Sequence, residues 1–294
     1  MLDAIIVGGS YAGLSAALQL ARARRDILVI DGGHRRNRFA DSSHGFLGQD
    51  GRSPGDIAAD ARAQLLAYPN VRWVEAKAGH SRAVDGGFTV DAGNACHEAQ
   101  RLILATGVVD ALPAIPGVAE RWGKSVFHCP YCHGYELNKG RIGVLGVSPM
   151  SMHHALMLPD WGETTFFVND AFTLDDGHRA QLNKRGVRIE CTPIEAITGG
   201  ADVMLTDGRV VALDGLFTMT HTSPASPLAD QLGCVLEQGP AGPFIQTNVF
   251  KETSVSCVFA FGDVARAAGS VALAVGDGAH AGVGVHRSLI FYDL

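Results

Sequence analysis

Two cysteines two residues apart, with a histidine on each side, stand in Phe127-His128-Cys129-Pro130-Tyr131-Cys132-His133-Gly134-Tyr135-Glu136. Sulfur exchanges bonds as thiolate, and a Cys-x-x-Cys arrangement lowers the pKa of one thiol enough to supply thiolate near neutral pH. A histidine beside such a pair can take a proton from an incoming thiol and return it to a leaving thiolate. The pair could also be half of a zinc centre, but tetrahedral zinc needs four ligands. Cys96, Cys191, Cys234 and Cys257 are scattered singly, with no second Cys-x-x-Cys. The spacing therefore points to a redox dithiol, with Cys129 and Cys132 exchanging sulfur bonds, His133 moving protons, and no metal.

Such a pair needs an electron partner, and the elements around it supply one. Ala4-Ile5-Ile6-Val7 reads as a strand, Leu14 to Ala23 as a helix, and Asp26 to Ile30 as a second strand closing on Asp31. Between the first strand and the helix lies Gly8-Gly9-Ser10-Tyr11-Ala12-Gly13, a dinucleotide fingerprint with serine in its second glycine position. Gly8 makes the tight turn, Gly13 lets helix pack on strand, and the helix N-terminus receives a pyrophosphate. Asp31, 23 residues after Gly8, is placed for the ribose hydroxyls of the same nucleotide. Gly32 continues the turn, and Arg35 and Arg36, before Asn37, can reach phosphate oxygens unless they line a solvated loop. Pro54 to Leu66 reads as a helix; Val71 to Ala76, Ala83-Val84 and Phe88 to Asp91 read as a meander of short strands. Arg101 to Ala105 is a further strand, and Ala105-Thr106-Gly107 returns the chain to the nucleotide.

Prolines 113 and 116 mark a change of composition, which puts a boundary near Leu112. After the dithiol a second βαβ unit repeats the first at an offset of 138 residues, Gly8 to Gly146. Its strand is Ile142 to Leu145, its helix Met150 to Leu158, and its next strand Thr165 to Val168. Here Ser148 and Ser151 replace small fingerprint residues, and Asn169-Asp170 follows the second strand without an arginine pair for a 2′-phosphate. NADPH, NADH or no nicotinamide at all remain open for this unit. His153 and His154 on its helix are expected to be structural, at the surface or half-buried, for want of metal partners. Lys184 to Glu190 and the segments around Val203 and Val210 complete a small sheet, with Leu216 to His221 as its last strand. Prolines 224, 227, 240 and 243 put the return boundary near Gly242. Cys257 to Val264 then reads as a strand ending in Gly262-Asp263, followed by a helix from Val271 to Leu289. Asp263 suits a ribityl hydroxyl or serves as a plain helix cap, and the dipole of the last helix suits the electron-rich edge of a flavin. The fold class is thus α/β, two Rossmann-like three-layer (ββα) nucleotide-binding domains with the second inserted in the first.

Composition narrows the partners. The chain has 294 residues, a net charge of −6 and no basic run, which argues against nucleic acid and anionic membranes. Apolar stretches are interrupted well short of a bilayer span, and the first residues lack a signal-peptide pattern, so a cytoplasmic location is expected. Six cysteines in so long a chain are no disulfide framework.

In order along the chain, the first fingerprint with Asp31, Ala105-Thr106-Gly107, the Cys129/Cys132 pair and Phe261-Gly262-Asp263-Val264 resemble the thioredoxin reductase family of low-molecular-weight flavoproteins. Cys-Pro-Tyr-Cys also occurs in glutaredoxin-like sites, whose size and pattern differ from this chain. The resemblance implies an FAD domain of residues 1–111 and 243–294 and an inserted domain of residues 112–242 that bears the dithiol and, in the family, binds NADPH. It implies that Cys132 faces the flavin, that Cys129 meets the external sulfur, that His44 lies near the isoalloxazine, and that Val271 is among the cofactor-binding residues. It also implies a homodimer and rotation of one domain against the other.

Within the family, three departures stand out. His133 replaces the usual aspartate, and Cys-x-x-Cys-His-Gly resembles the gliotoxin-type dithiol oxidases, which pass electrons to oxygen. Ser270-Val271-Ala272 stands where reductases carry Arg-Gln-Ala, and the second fingerprint is degraded. The expected activity is an FAD-dependent exchange of electrons with a dithiol or disulfide, either a small molecule or a thioredoxin-like protein. Its direction is left open, and a ferredoxin-fed reductase is a further variant. The reading of a different class is a non-catalytic flavin redox sensor, which would show no turnover with any thiol.

Overall fold

The computed structural model describes residues 1–292; the last two residues of the expected segment 243–294 lie outside the described residues. Leu2–Val7, almost wholly apolar, forms a central strand buried on both faces, as the interior of a parallel sheet requires. It pairs in parallel with Ile27–Asp31 on one side and with Ala95–Leu104 on the other. Val71–Glu75 extends the parallel sheet beyond Ile27–Asp31, so this strand belongs to the sheet and not to the expected meander. Gly87–Ala92 pairs antiparallel with the first half of Ala95–Leu104 and carries Ala78–Val84 antiparallel on its other side, while Val258–Ala260 runs parallel to the second half of Ala95–Leu104.

Register turns this sheet into a platform. Val7 lies opposite Ile30 and Leu104, and Leu104 opposite Ala260. The next residues on the four strands, Gly8, Asp31, Ala105 and Phe261, therefore emerge together at the carboxyl ends, where ligands bind in open parallel sheets. The helices Tyr11–Arg22 and Val271–Phe291 cover one face and meet through small residues. A side chain at Gly278 or Gly282 would run into the carbonyls of Ala12 and Ala16. Close approach of the last helix to the fingerprint helix thus depends on glycine.

The second unit repeats the plan with a five-stranded parallel sheet, in which Lys139–Leu145 lies between Gly162–Phe167 and Gly215–Thr218. Arg188–Glu190 joins one edge, and Val126–Phe127 pairs in parallel with Gly215–Thr218 at the other. Asp176–Lys184, part of which was expected to lead into a strand, is a helix begun by an Asp175 capping box. A separate antiparallel sheet of Ile194–Thr198, Asp202–Leu205 and Val210–Val211 covers one face.

Two corrections concern the joints. The expected strand Leu216 to His221 is two strands: Gly215–Thr218 ends in the sheet, and His221–Pro224 pairs antiparallel with Val108–Ala111. This two-stranded ribbon carries the chain out of the first unit and back. Beyond it, Leu228, Ala229, Cys234 and Ile245 pack in the same core as Leu2, Ile5 and Val258. Residues 228–234, which the sequence division places in the inserted domain, therefore bury their apolar surface against the first sheet.

Candidate active site

Val126–Phe127 is an edge strand level with Phe217, so the chain leaving it, His128 and Cys129, starts at the carboxyl end of the second sheet. Cys129 has extended backbone angles and caps the short helix Pro130–His133, with proline in the first turn where its missing N–H costs nothing. One helical turn returns Cys132 to Cys129, and the two form a disulfide with Cα atoms 5.3 Å apart. Gly134, packed against the Trp161 ring and the Pro130 carbonyl, leaves no room for a Cβ, which would meet both at 2.7 Å.

His133 stacks on Phe127, with ring centroids 4.3 Å apart and planes at 17°. Burial holds its pKa below the ordinary histidine value, with Glu136 pulling upward and His44 downward. At neutral pH it is an imidazole with a free lone pair, as a base for a thiol requires. His44 itself reaches across from the first unit: its Nε2 lies 3.4 Å from Glu136 Oε1 and 2.9 Å from Ser42 Oγ, and its Nδ1 3.6 Å from Asp50 Oδ1. The structure thus brings His44 to the dithiol segment. Tyr131 and Tyr135, on the same segment, project outward at 72% and 84% exposure, and Tyr131 packs edge-on to Trp161.

His128, on the other side of the pair, stacks against Trp122. Burial pushes its pKa down to about 4, helped by Arg36 and opposed by Asp110. Arg36 is the centre of a polar cluster between the two units. Its Nε and Nη2 donate to both oxygens of Asp110 at 2.8 and 2.7 Å, and its Nη1 donates to Asp263 Oδ2 at 2.9 Å. Thr220 Oγ1 donates to Asp110 Oδ1 at 2.7 Å. Burial would raise the Asp110 pKa, but the guanidinium outweighs it and holds the carboxyl below the usual carboxylate range. Arg36, expected at a phosphate, is instead paired with two carboxylates, and Asp263 engages a guanidinium from the opposite end of the first domain.

At the first fingerprint, a Cβ on Gly8 would run into the Ala105 carbonyl, and one on Gly13 into the carbonyl of Gly8. Gly8 also takes φ +107, open to glycine at little cost. Gly9, unremarked in the sequence reading, donates its N–H to Asp31 Oδ1 at 3.2 Å and lies so close to Trp73 that a Cβ would collide with the ring. Ser10 precedes the helix in extended conformation, and its hydroxyl makes no capping bond. The first-turn N–H groups at Tyr11, Ala12 and Gly13 have no carbonyl one turn back and remain available to an anion. The Tyr11 hydroxyl donates to the Pro54 carbonyl at 3.0 Å and accepts from Asn37 Nδ2 at 3.1 Å. Gly32 follows Asp31 directly, and Val271 packs with the Tyr11 and Ile57 cluster. Ala105 is buried, and Gly107 accepts from the Ala225 N–H at 3.0 Å, so Ala105-Thr106-Gly107 sits where the ribbon begins.

The second fingerprint is built differently. Ser151 is fully buried, and its hydroxyl accepts the N–H of Val147 at 3.0 Å, which occupies a donor inside the turn. Pro149 supplies no N–H, and the helix Ser151–Met157 has only seven residues. Asn169, where an acid would hold a ribose, accepts the Ile194 N–H at 2.9 Å. His153 is exposed, as expected for a surface residue, whereas His154 is 4% exposed and packs edge-on to Phe217.

Residues 2–278 match the sequence profile of the pyridine nucleotide-disulphide oxidoreductase family. The chain belongs to that family. A thioredoxin reductase of Claviceps purpurea, tcpT, is 36% identical over 279 residues, covering 90% of this chain and 86% of its own. Another from Leptosphaeria maculans, sirT, is 32% identical and covers 100% and 96%. Among solved structures, an oxidoreductase from Agrobacterium tumefaciens superposes with a TM-score of 0.96 at 57% identity, covering 99% of both chains. HlmI superposes with a TM-score of 0.91 at 33% identity, covering 99% of this chain and 93% of its own. The protein is an FAD-dependent disulfide oxidoreductase of the thioredoxin reductase-like kind.

The first site fits its flavin nucleotide. Asn37 Oδ1, Arg35 Nε and Trp73 Nε1 are buried without a hydrogen-bond partner, and they surround the glycine turn and the loop after Asp31. Unsatisfied buried polar atoms cost about 1–3 kcal/mol each, so three near one cradle mark a place for a polar ligand. The second site does not fit a nicotinamide nucleotide equally well, since its turn is closed by its own serine. Among the described residues no cluster of metal ligands occurs, and no helix is long and apolar enough to cross a membrane. Sequence reading missed Gly9, Trp73, Glu136, Asp110 and Thr220. The adjacency of Gly8 and Gly9 was the one visible signal, because the partners of the others come from remote segments.

Proposed function

We propose that Cys129 and Cys132 are the exchanging sulfurs of this flavoprotein and that His133 moves the protons. The observation that carries this reading is the Cys129–Cys132 disulfide at the start of a helical turn that ends in the half-buried His133, whose pKa is held below the ordinary histidine value. In the oxidative direction His133 takes the proton of a substrate thiol. The thiolate attacks Cys129 Sγ, the Cys129–Cys132 bond breaks, and Cys132 leaves as thiolate. The second substrate thiol, deprotonated in turn, attacks the substrate sulfur of the mixed disulfide and releases Cys129. One substrate disulfide forms, and two electrons and two protons pass to the enzyme dithiol. The reverse sequence reduces a disulfide.

FAD, held by the first cradle, supplies the two-electron acceptor or donor for the cysteine pair. The residues we assign to it are Gly8, Ser10, Tyr11, Ala12, Gly13, Asp31, Gly32, Arg36, Asn37, His44, Ala105, Thr106, Gly107, Gly262, Asp263 and Val271. The direct holders are the first-turn N–H groups for the pyrophosphate and Asp31 for the ribose. Arg36 acts by aiming Asp263. We further read the domains as residues 1–111 with about 225–294, and 112 to about 220. The working unit is read as a homodimer, supported by exposed Leu273, Val283 and Phe291 on the last helix. A cytoplasmic location is supported by four unpaired cysteines beside one redox pair.

The closed second turn favours the dithiol oxidase direction over NADPH-driven reduction, with a small dithiol as substrate and oxygen as final acceptor. Anaerobic stopped-flow absorbance of the flavin, mixed separately with NADPH, NADH and a small dithiol, tests this. Bleaching by the dithiol alone, reversed on admitting oxygen, is the expected outcome. Rapid bleaching by either nicotinamide overturns the oxidase direction, and no bleaching by any of the three overturns the assignment of the cysteines.

A further inference from the structure

Asp110 takes no part in the thiol chemistry, yet its side chain, 7% exposed, accepts three hydrogen bonds. It stands on Val108–Ala111, one strand of the ribbon that joins the two domains, and Thr220, just before the other strand, donates to it. Two of the Arg36 donors meet its two oxygens in a bidentate pair. Such a fork fixes both the position and the plane of a guanidinium, which a single contact does not. With that plane set, the remaining Nη1 falls on Asp263 Oδ2 at 2.9 Å. The other Asp263 oxygen abuts Gly269, where a Cβ would collide with it. The Asp263 carboxylate is thus bonded to Arg36 through one oxygen and lies against the glycine backbone with the other.

We propose that Asp110, steadied by Thr220, is a positioning residue for the flavin: through Arg36 it aims the Asp263 carboxylate and ties the interdomain ribbon to the hold on FAD. The proposal rests on the reading of Asp263 as a flavin-binding residue. It accounts for the commitment of the Arg36 guanidinium to two carboxylates, Asp110 and Asp263. It also makes FAD retention sensitive to the geometry of the ribbon, about which the two domains would turn.

The test is FAD binding to the folded apoprotein, read by quenching of FAD fluorescence, with circular dichroism melting as the check on folding. The variants are Asp110→Asn, Thr220→Val, Asp263→Asn and the pair Asp110→Asn with Asp263→Asn. Partners that orient a ligand-binding group change affinity by about tenfold or more, so Asp110→Asn is expected to raise the FAD dissociation constant by about tenfold. Thr220→Val should raise it by a smaller factor. The double variant should bind no more weakly than Asp263→Asn alone, because Asp110 acts through that residue. FAD affinity within twofold of the parent in Asp110→Asn, while Asp263→Asn is weakened, overturns the proposal, as do effects that simply multiply in the double variant. Parental affinity in Asp263→Asn instead overturns the underlying assignment of Asp263. Should Asp110→Asn not fold, Thr220→Val decides, since it preserves shape: unchanged affinity overturns the proposal.

Discussion

The chemistry of single residues here is governed by burial against charge. His133 is depressed by burial, so its neutral form is the one present at pH 7, ready to accept a proton. Because its folded pKa lies below the ordinary value near 6.5, activity that needs the free base holds at neutral pH and is lost as pH falls through the depressed value. Replacing His133 by Gln should slow dithiol oxidation by roughly 10²–10⁴-fold and remove that acid limb from the kcat/KM profile. His154 obeys the same physics without a part in the reaction. Burial, then His153, pushes it down to about 4, so between about pH 6.5 and 4 the unfolded chain binds a proton that the folded one refuses. Folding stability must therefore fall with pH over that window, by up to about 3 kcal/mol for this one group. Urea unfolding at pH 7 and pH 5 should show a shallower loss in His154→Gln than in the parent.

At the scale of elements, the fingerprint depends on the contact between Tyr11–Arg22 and Val271–Phe291. Gly278 is the point of closest approach that can be tested, since its Cβ would meet the Ala12 carbonyl, a backbone atom that cannot turn aside. Helix propensity favours alanine there by about 1 kcal/mol. Overpacking costs about 1–3 kcal/mol, so the collision should win. Gly278→Ala is expected to lower the melting temperature, and because Ala12 belongs to the nucleotide turn, to raise flavin release in the same preparation. Unchanged melting would show that the helices can part freely. The last helix itself was expected from the sequence, from Val271 to Leu289. Its partner was not, because 260 residues separate Ser15 from Val275, whose carbonyl it bonds.

For the whole molecule, the return boundary is the feature most open to a direct test. The cores around Val118, Leu145 and Phe217 are complete within residues 112–217, whereas Leu228 and Cys234 pack with Leu2 and Ile5. A fragment of residues 112–219 should unfold cooperatively, and a fragment of residues 112–242 should gain no stability from the added segment. Equal denaturation midpoints are the expected result; a clearly higher midpoint for the longer fragment would restore the boundary near Gly242. Prolines mark turns without stating which core the chain turns toward, and so the sequence alone points to Gly242 while the packing of Leu228 and Cys234 supports an earlier return.

By itself the sequence determined what is local. Apolar runs set the strands of both βαβ units, glycine spacing set the first nucleotide turn, and two residues between sulfurs allowed a single helical turn to join them. Those features depend on neighbours a few positions apart, where backbone sterics and periodicity are decisive. Tertiary structure alone decided the rest. Parallel register brought Gly8, Asp31, Ala105 and Phe261 level at one sheet edge. Packing closed the second turn with Ser151, carried His44 to Glu136, and took Arg36 from its expected phosphate to Asp110 and Asp263. Charges 74 and 227 positions apart attract only after the cores have condensed and removed the water between them, and no local pattern records that meeting.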